Sequence, residues 1–94
     1  MNTFTSHFSE DINGLIEQKH AMGYKYLYQE KLLKRFDAFC IENFPDATVL
    51  DKDVVTQWTI LRKGEHPATL ESRVSPINEL AKFIIRKGEH AYIL

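Results

Sequence analysis

Few residues in this chain have side chains suited to chemistry. There are four histidines, one cysteine, and a pentapeptide, RKGEH, that occurs at 62–66 and again at 86–90. A histidine set twice beside two cations, a glycine and an acid admits three readings. It is half of a paired metal site, a phosphate clamp used twice, or one local answer to the problem of ending a helix. A structural zinc site takes four ligands, so His66 and His90 would need two more. His7, His20 and Cys40 supply none of the paired spacings, such as Cys-x-x-Cys or His-x-x-x-His, that metal sites use. The helix-end reading explains more. Each copy follows a point where an apolar period stops, after Ile60-Leu61 and after Ile84-Ile85. Arg and Lys then fall in a last turn, where cations complement the negative end of the helix dipole, and Gly follows as the residue that turns left-handed most readily. The repeat is therefore read as two helix C-caps.

No other arrangement marks a catalyst. Cys40 lies on the apolar face of a helical pattern, where a thiol packs as a small hydrophobe rather than reacting as a nucleophile. There is no Gly-rich phosphate loop and no Gly-x-Ser-x-Gly elbow. No pair of acids stands out, and a helical domain this short rarely encloses a substrate pocket. The chain alone is read as no enzyme, with no cofactor, no metal and no small-molecule substrate.

The bulk numbers agree. Ninety-four residues, 44% hydrophobic and 12% aromatic, allow one domain with one core. The apolar runs are too short to cross a bilayer, and no basic-then-apolar leader opens the sequence, so no membrane partner is expected. A single cysteine forms no internal disulfide, which fits a reducing cytoplasm. With a net charge of −1, affinity for a polyanion has to come from a local patch.

Four helical patterns position these residues, and no strand is expected. The first runs from Ser6 or Ser9 to Met22, with Phe8, Ile12, Leu15, Ile16 and Lys19 in helical register and Gly23 closing it. The second runs from Leu27 to Asn43. Leu32, Leu33, Phe36, Phe39, Cys40 and Phe44 form its apolar face, Tyr28, Lys31, Lys34 and Arg35 lie opposite, and Pro45 ends it. The third starts at Asp51, a good N-cap, and runs to about Leu61 with Val54, Val55, Trp58 and Leu61 inward. The fourth is capped by Thr69 and carries Leu70, Val74, Ile77, Ala81 and Ile84 on one face, with Ser72, Ser75, Lys82 and Arg86 toward solvent. Pro76 sits within it. Either the helix kinks there, or a new helix starts with Ser75 as cap and Pro76 as its first residue. Residues 91–94 are apolar and read as the start of a linker or as a cut at a domain edge.

The stretch GYKYLYQEK interleaves Tyr24, Tyr26 and Tyr28 with Lys25. Cations mixed with tyrosine suit contacts to phosphates and base edges. A solvated helix start with one or two packed tyrosines explains it equally well.

The order of these pieces resembles a known family. Lys-x-x-x-Gly-Tyr at 19–24 ends the first helix, and Leu-x-x-Phe-x-x-Phe marks the second at Leu33, Phe36 and Phe39. An acid-capped helix holds Trp58, and Thr69 and Arg73 precede a Gly-x-x-Ala-Tyr at Gly88, Ala91 and Tyr92. Together, from about Phe8 to Leu94, they resemble the N-terminal core-binding domain of tyrosine recombinases, the phage-integrase type. The resemblance implies an all-α, four-helix, SAM-like orthogonal bundle that forms one arm of a clamp around double-stranded DNA at a recombination site during integration or excision. It also implies other recombinase protomers as partners. The catalytic domain of that family would follow this one, so no catalytic residue carries over, and Tyr92 is not its nucleophile. The resemblance implies DNA contacts from Lys25, Tyr28, Lys31, Lys34 and Arg35, and from Thr69, Ser72, Arg73, Lys82 and Arg86. Asn78 stands where relatives often carry an arginine. Two rival readings are a protein-interaction module using 91–94 as a docking segment, and a histidine-based metal regulator.

Overall fold

Burial follows the helical periods closely enough that the apolar residues themselves locate the elements. A computed structural model describes residues 4–60, 64 and 66–94. The described residues hold four helices: α1 (Ser9–Ala21), α2 (Leu27–Asn43), α3 (Lys52–Trp58) and α4 (Pro67–Arg86). Their only extended pairing is an isolated parallel bridge between Leu50 and Ala91. The chain is all-α. It divides into two packing units, Met1–Thr48 with α1 and α2, and Val49–Leu94 with α3 and α4.

In the first unit α1 packs against α2. Phe8, Ile12, Leu15 and Ile16 from the first helical period are buried, as are Leu32, Leu33, Phe36 and Cys40 from α2. Phe8 meets Phe36 with ring centroids 6.4 Å apart, and Phe36, Phe39 and Phe44 continue as a chain of ring contacts. Phe39 and Phe44 are only half-buried, at the rim of that face. The helix starts without a side-chain cap, but Glu10 and Asp11 in its first turn meet the positive dipole end.

Gly23 closes α1 as its sequence position suggests. Its φ of +93 is a left-handed conformation that costs an L side chain about 1–2 kcal/mol. The N–H of Gly23 donates to His20 and that of Tyr24 to Lys19, the paired bonds of a Schellman motif. Tyr26, just before α2, is also left-handed at φ +57, the sole non-glycine described residue that is.

One buried acid has no counterpart in the apolar pattern. Asp37 lies on the inner side of α2, and its two carboxylate oxygens accept the backbone N–H groups of Thr5 at 3.1 Å and Ser6 at 3.0 Å. That fork ties the segment before α1, with buried Phe4, onto α2.

In the second unit Leu50, Val54, Val55, Trp58, Ile77, Leu80, Ala81 and Ile84 are buried. Asp51 caps α3 as expected, its side chain accepting the Val54 N–H at 3.1 Å. α3 ends sooner than the apolar period suggests, at Trp58 rather than near Leu61, and Leu61 lies outside the described residues.

α4 begins at Pro67, not after Thr69. The carbonyl of His66 accepts the N–H groups of Thr69 and Leu70, and Pro67 occupies a first-turn position where its missing N–H costs no helical bond. Pro76 lies inside a helix that continues through it. There is no new helix at Ser75; the proline ring is buried, and one ladder bond is forgone.

The two RKGEH copies therefore serve opposite ends of a helix. The second ends α4. Gly88 has φ +92, its N–H donates to Ile85, and the N–H of Glu89 donates to Ile84, a second Schellman motif. The first copy does not cap α3. Its His66 opens α4, and its Gly64 has φ +78, while Arg62, Lys63 and Glu65 lie outside the described residues. The reason is that α3 has another terminator. Thr59 closes the last turn with its N–H on Val55 and Thr56, and the carbonyls of Trp58 and Ile60 receive the guanidinium of Arg73, so the open carbonyls at this end find their donor there.

Residues 91–94 turn back on their own unit. The N–H of Tyr92 donates to the Leu50 carbonyl at 2.8 Å, and that of Leu94 to Asn78 Oδ1 at 3.1 Å.

Candidate nucleic-acid interface

The outer face of α2 follows from the pattern that buries its inner one. Leu32, Leu33, Phe36 and Cys40 turn inward, which sends Tyr28, Lys31, Lys34 and Arg35 outward, and all four are exposed. Tyr28, Lys31 and Arg35 stand three and four residues apart and so lie along one ridge. The nearest acid toward the C-terminal side, Asp37, is turned in and engaged with Thr5 and Ser6. Its charge does not lie beside the three cations on the surface, and Glu30 is the acid among them.

Lys25 is exposed in the turn before α2. His20 Nε2 lies 3.2 Å from the Lys25 carbonyl oxygen, which draws this turn against the last turn of α1. Lys19 sits with its Nζ 5.6 Å from the centre of the Tyr24 ring and 5.9 Å from that of Tyr26, cation–π distances. Lys19 has a place in the motif at 19–24, but its contact with two tyrosine rings needed the turn to be folded.

On α4, Thr69, Ser72, Lys82 and Arg86 are exposed. Lys82 and Arg86 are one turn apart, near the C-terminal end, where cations are favoured. Arg73 is not among them. It is only 6% exposed, its guanidinium donates to the carbonyls of Trp58 and Ile60, and its Cζ lies 5.3 Å from the centre of the Trp58 ring. The expectation that Arg73 faces a base edge is corrected. Spacing held the signal, since Arg73 shares a helical row with Ile77, Leu80 and Ile84. The presumption that an arginine faces water hid it.

A groove of about 580 Å³ runs along another flank of α4, lined by Leu70, Val74, Asn78, Lys82 and Leu94 among others. Asn78 spends its side-chain oxygen there on the backbone of Leu94.

Cys40 is buried, and burial, reinforced by the negative charge of Asp37, pushes its thiol from 9.0 up to about 12. That is the opposite of an activated nucleophile. Among the described residues, no cluster of three His, Cys, Asp or Glu side chains is placed to hold a metal ion. No described helix is long and apolar enough to cross a membrane. Comparison with protein-family models, curated proteins and solved structures finds no match.

Proposed function

We propose that this chain is a DNA-binding domain of the tyrosine-recombinase type, gripping the backbone of a recombination site during integration or excision. One observation carries the reading. α2 exposes Lys31, Lys34 and Arg35 beside Tyr28, with Glu30 among them, while Asp37 is withdrawn to the inner side, which leaves the cations in excess there. In a chain whose net charge is −1, that separation creates a local positive surface.

In this reading Lys31, Lys34 and Arg35 neutralise phosphates, and Tyr28 reaches toward base edges. Thr69, Ser72, Lys82 and Arg86 supply the contacts of α4, and Lys25 those of the turn. Arg73 contributes by holding α3 to α4 rather than by touching DNA. Chemistry on the DNA strand belongs to residues outside this set, and other protomers of the same kind assemble on the site.

The test is a salt titration of duplex binding followed by fluorescence anisotropy. Each phosphate contact contributes about 0.9 to the slope of log affinity against log salt. Replacing Lys31 and Arg35 together by Ala should flatten the slope by about two and weaken binding at low salt. An unchanged slope and affinity would remove α2 from the interface. Absence of salt-dependent binding in the unsubstituted chain would remove the reading altogether.

A further inference from the structure

The turn between α1 and α2 has a composition and a shape that a phosphate-gripping helix face does not require. From Gln18 to Gln29 there is no Asp or Glu, while Lys19, His20, Lys25 and three tyrosines are present. The tyrosines do not share one fate. Tyr26 adopts the left-handed φ of +57, an uncommon conformation for an aromatic residue, and its hydroxyl is buried. The tyrosines two residues to either side are exposed, Tyr24 at 57% and Tyr28 at 54%. Met22 and Leu27, at 60% and 62%, add apolar surface to the same short turn. Lys19 lies within cation–π distance of both Tyr24 and Tyr26, so one cation links the exposed ring to the one whose hydroxyl is buried.

We infer that this turn is a stacking platform for unpaired nucleotide bases, with Tyr24 and Tyr28 offering the faces and Lys25 meeting the adjoining phosphates. The inference rests on the DNA reading above and adds to its duplex contacts a preference for sites where bases are unpaired. Exposed aromatic rings beside cations, in a stretch without acids between Glu17 and Glu30, are the pairing that single-stranded nucleic acid uses. Paired bases in a duplex present only their edges, so a ring that seeks a π face gains nothing from them. An anionic lipid surface also accepts tyrosine and lysine. Surface-bound helices, however, offer a continuous apolar face, whereas this apolar area is one turn long.

The experiment uses the whole chain and measures anisotropy with a labelled oligothymidylate, a duplex of equal length and the same duplex with a short bulge, all at one salt concentration. The expected result is that the single strand and the bulged duplex bind about tenfold tighter than the intact duplex, the scale of one stacked base. Tyr24→Leu should remove that preference while keeping the apolar bulk, and Tyr24→Trp should retain it. Equal affinity for all three probes, or a preference for the intact duplex, overturns the platform and leaves the DNA reading in place. Loss of preference in Tyr24→Trp as well as Tyr24→Leu also overturns it. No binding to any probe overturns both. Binding to phosphatidylserine vesicles without binding to any oligonucleotide overturns the platform and assigns the turn to lipid.

Discussion

Trp58 and Arg73 satisfy each other's backbone. The indole N–H of Trp58 donates to the Arg73 carbonyl at 3.0 Å, and the Arg73 guanidinium donates to the Trp58 carbonyl and, at 3.0 Å, to that of Ile60. The guanidinium also lies against the indole ring. The pair closes the end of α3, satisfies polar groups of both partners and joins α3 to the first half of α4. A charge is tolerated here because it donates to carbonyls at the negative end of a helix.

Removing that arginine should cost more than removing any exposed cation. Arg73→Ala deprives the Trp58 and Ile60 carbonyls of their donor and loses charge-assisted bonds, a loss of about 3 kcal/mol. Arg73→Lys should recover little of it, because an ammonium cannot reproduce the planar fork. Urea denaturation of the two variants beside Lys34→Ala checks this. The Lys34 variant should be near the unsubstituted chain in stability.

Asp37→Ala should free the segment before α1. Two backbone N–H groups lose their acceptor, and the cost should be about 1–3 kcal/mol. Amide hydrogen exchange locates the effect: Thr5 and Ser6 should exchange faster first, ahead of the amides within α2. Uniform acceleration would mean that the fork stabilises α2 as a whole rather than this segment.

Cys40 links stability to alkaline pH. Its thiol titrates near 12 in the folded chain and near 9.0 when unconstrained, so between those values the unfolded chain loses the proton first. Ionisation then favours unfolding, and the contribution present below pH 9.0 declines as pH rises toward 12. Cys40→Ala should lose this component, so the gap in stability between the two proteins should change with pH above 9.0 and stay constant below it. At neutral pH the thiol should resist a thiol-reactive dye until the chain is unfolded.

Gly88→Ala isolates the cost of one backbone conformation. A methyl group at Gly88 would meet no atom within 4 Å, so crowding contributes nothing. The left-handed φ remains, and the substitution should cost about 1 kcal/mol in thermal or urea unfolding. A neutral result would mean that the last turn of α4 rearranges without penalty.

How much of this was legible beforehand can be argued from single residues. The bounds of α2, the Asp51 cap, the left-handed closures at Gly23 and Gly88, the buried Cys40 and the outward Tyr28, Lys31, Lys34 and Arg35 all follow from local rules. Period, proline, glycine and capping chemistry act over one or two turns, and those distances are written directly in the order of residues. The second RKGEH is legible for the same reason.

The first RKGEH is not, because its surroundings are set from elsewhere in the chain. α3 stops at Trp58, where a guanidinium from residue 73 takes the last helical carbonyl and that of Ile60 just beyond it. Asp37 is buried because two amides at residues 5 and 6 arrive to meet it. Tyr26, in a left-handed φ, buries its hydroxyl while Tyr24 and Tyr28 stay out, a division the alternating tyrosines do not announce. By itself the sequence determined the helices, their apolar faces and the basic ridge on α2. Tertiary structure alone decided which polar residues left the surface. A charged side chain goes inside only where distant backbone groups supply its hydrogen bonds, and those partners come together only when the chain has folded.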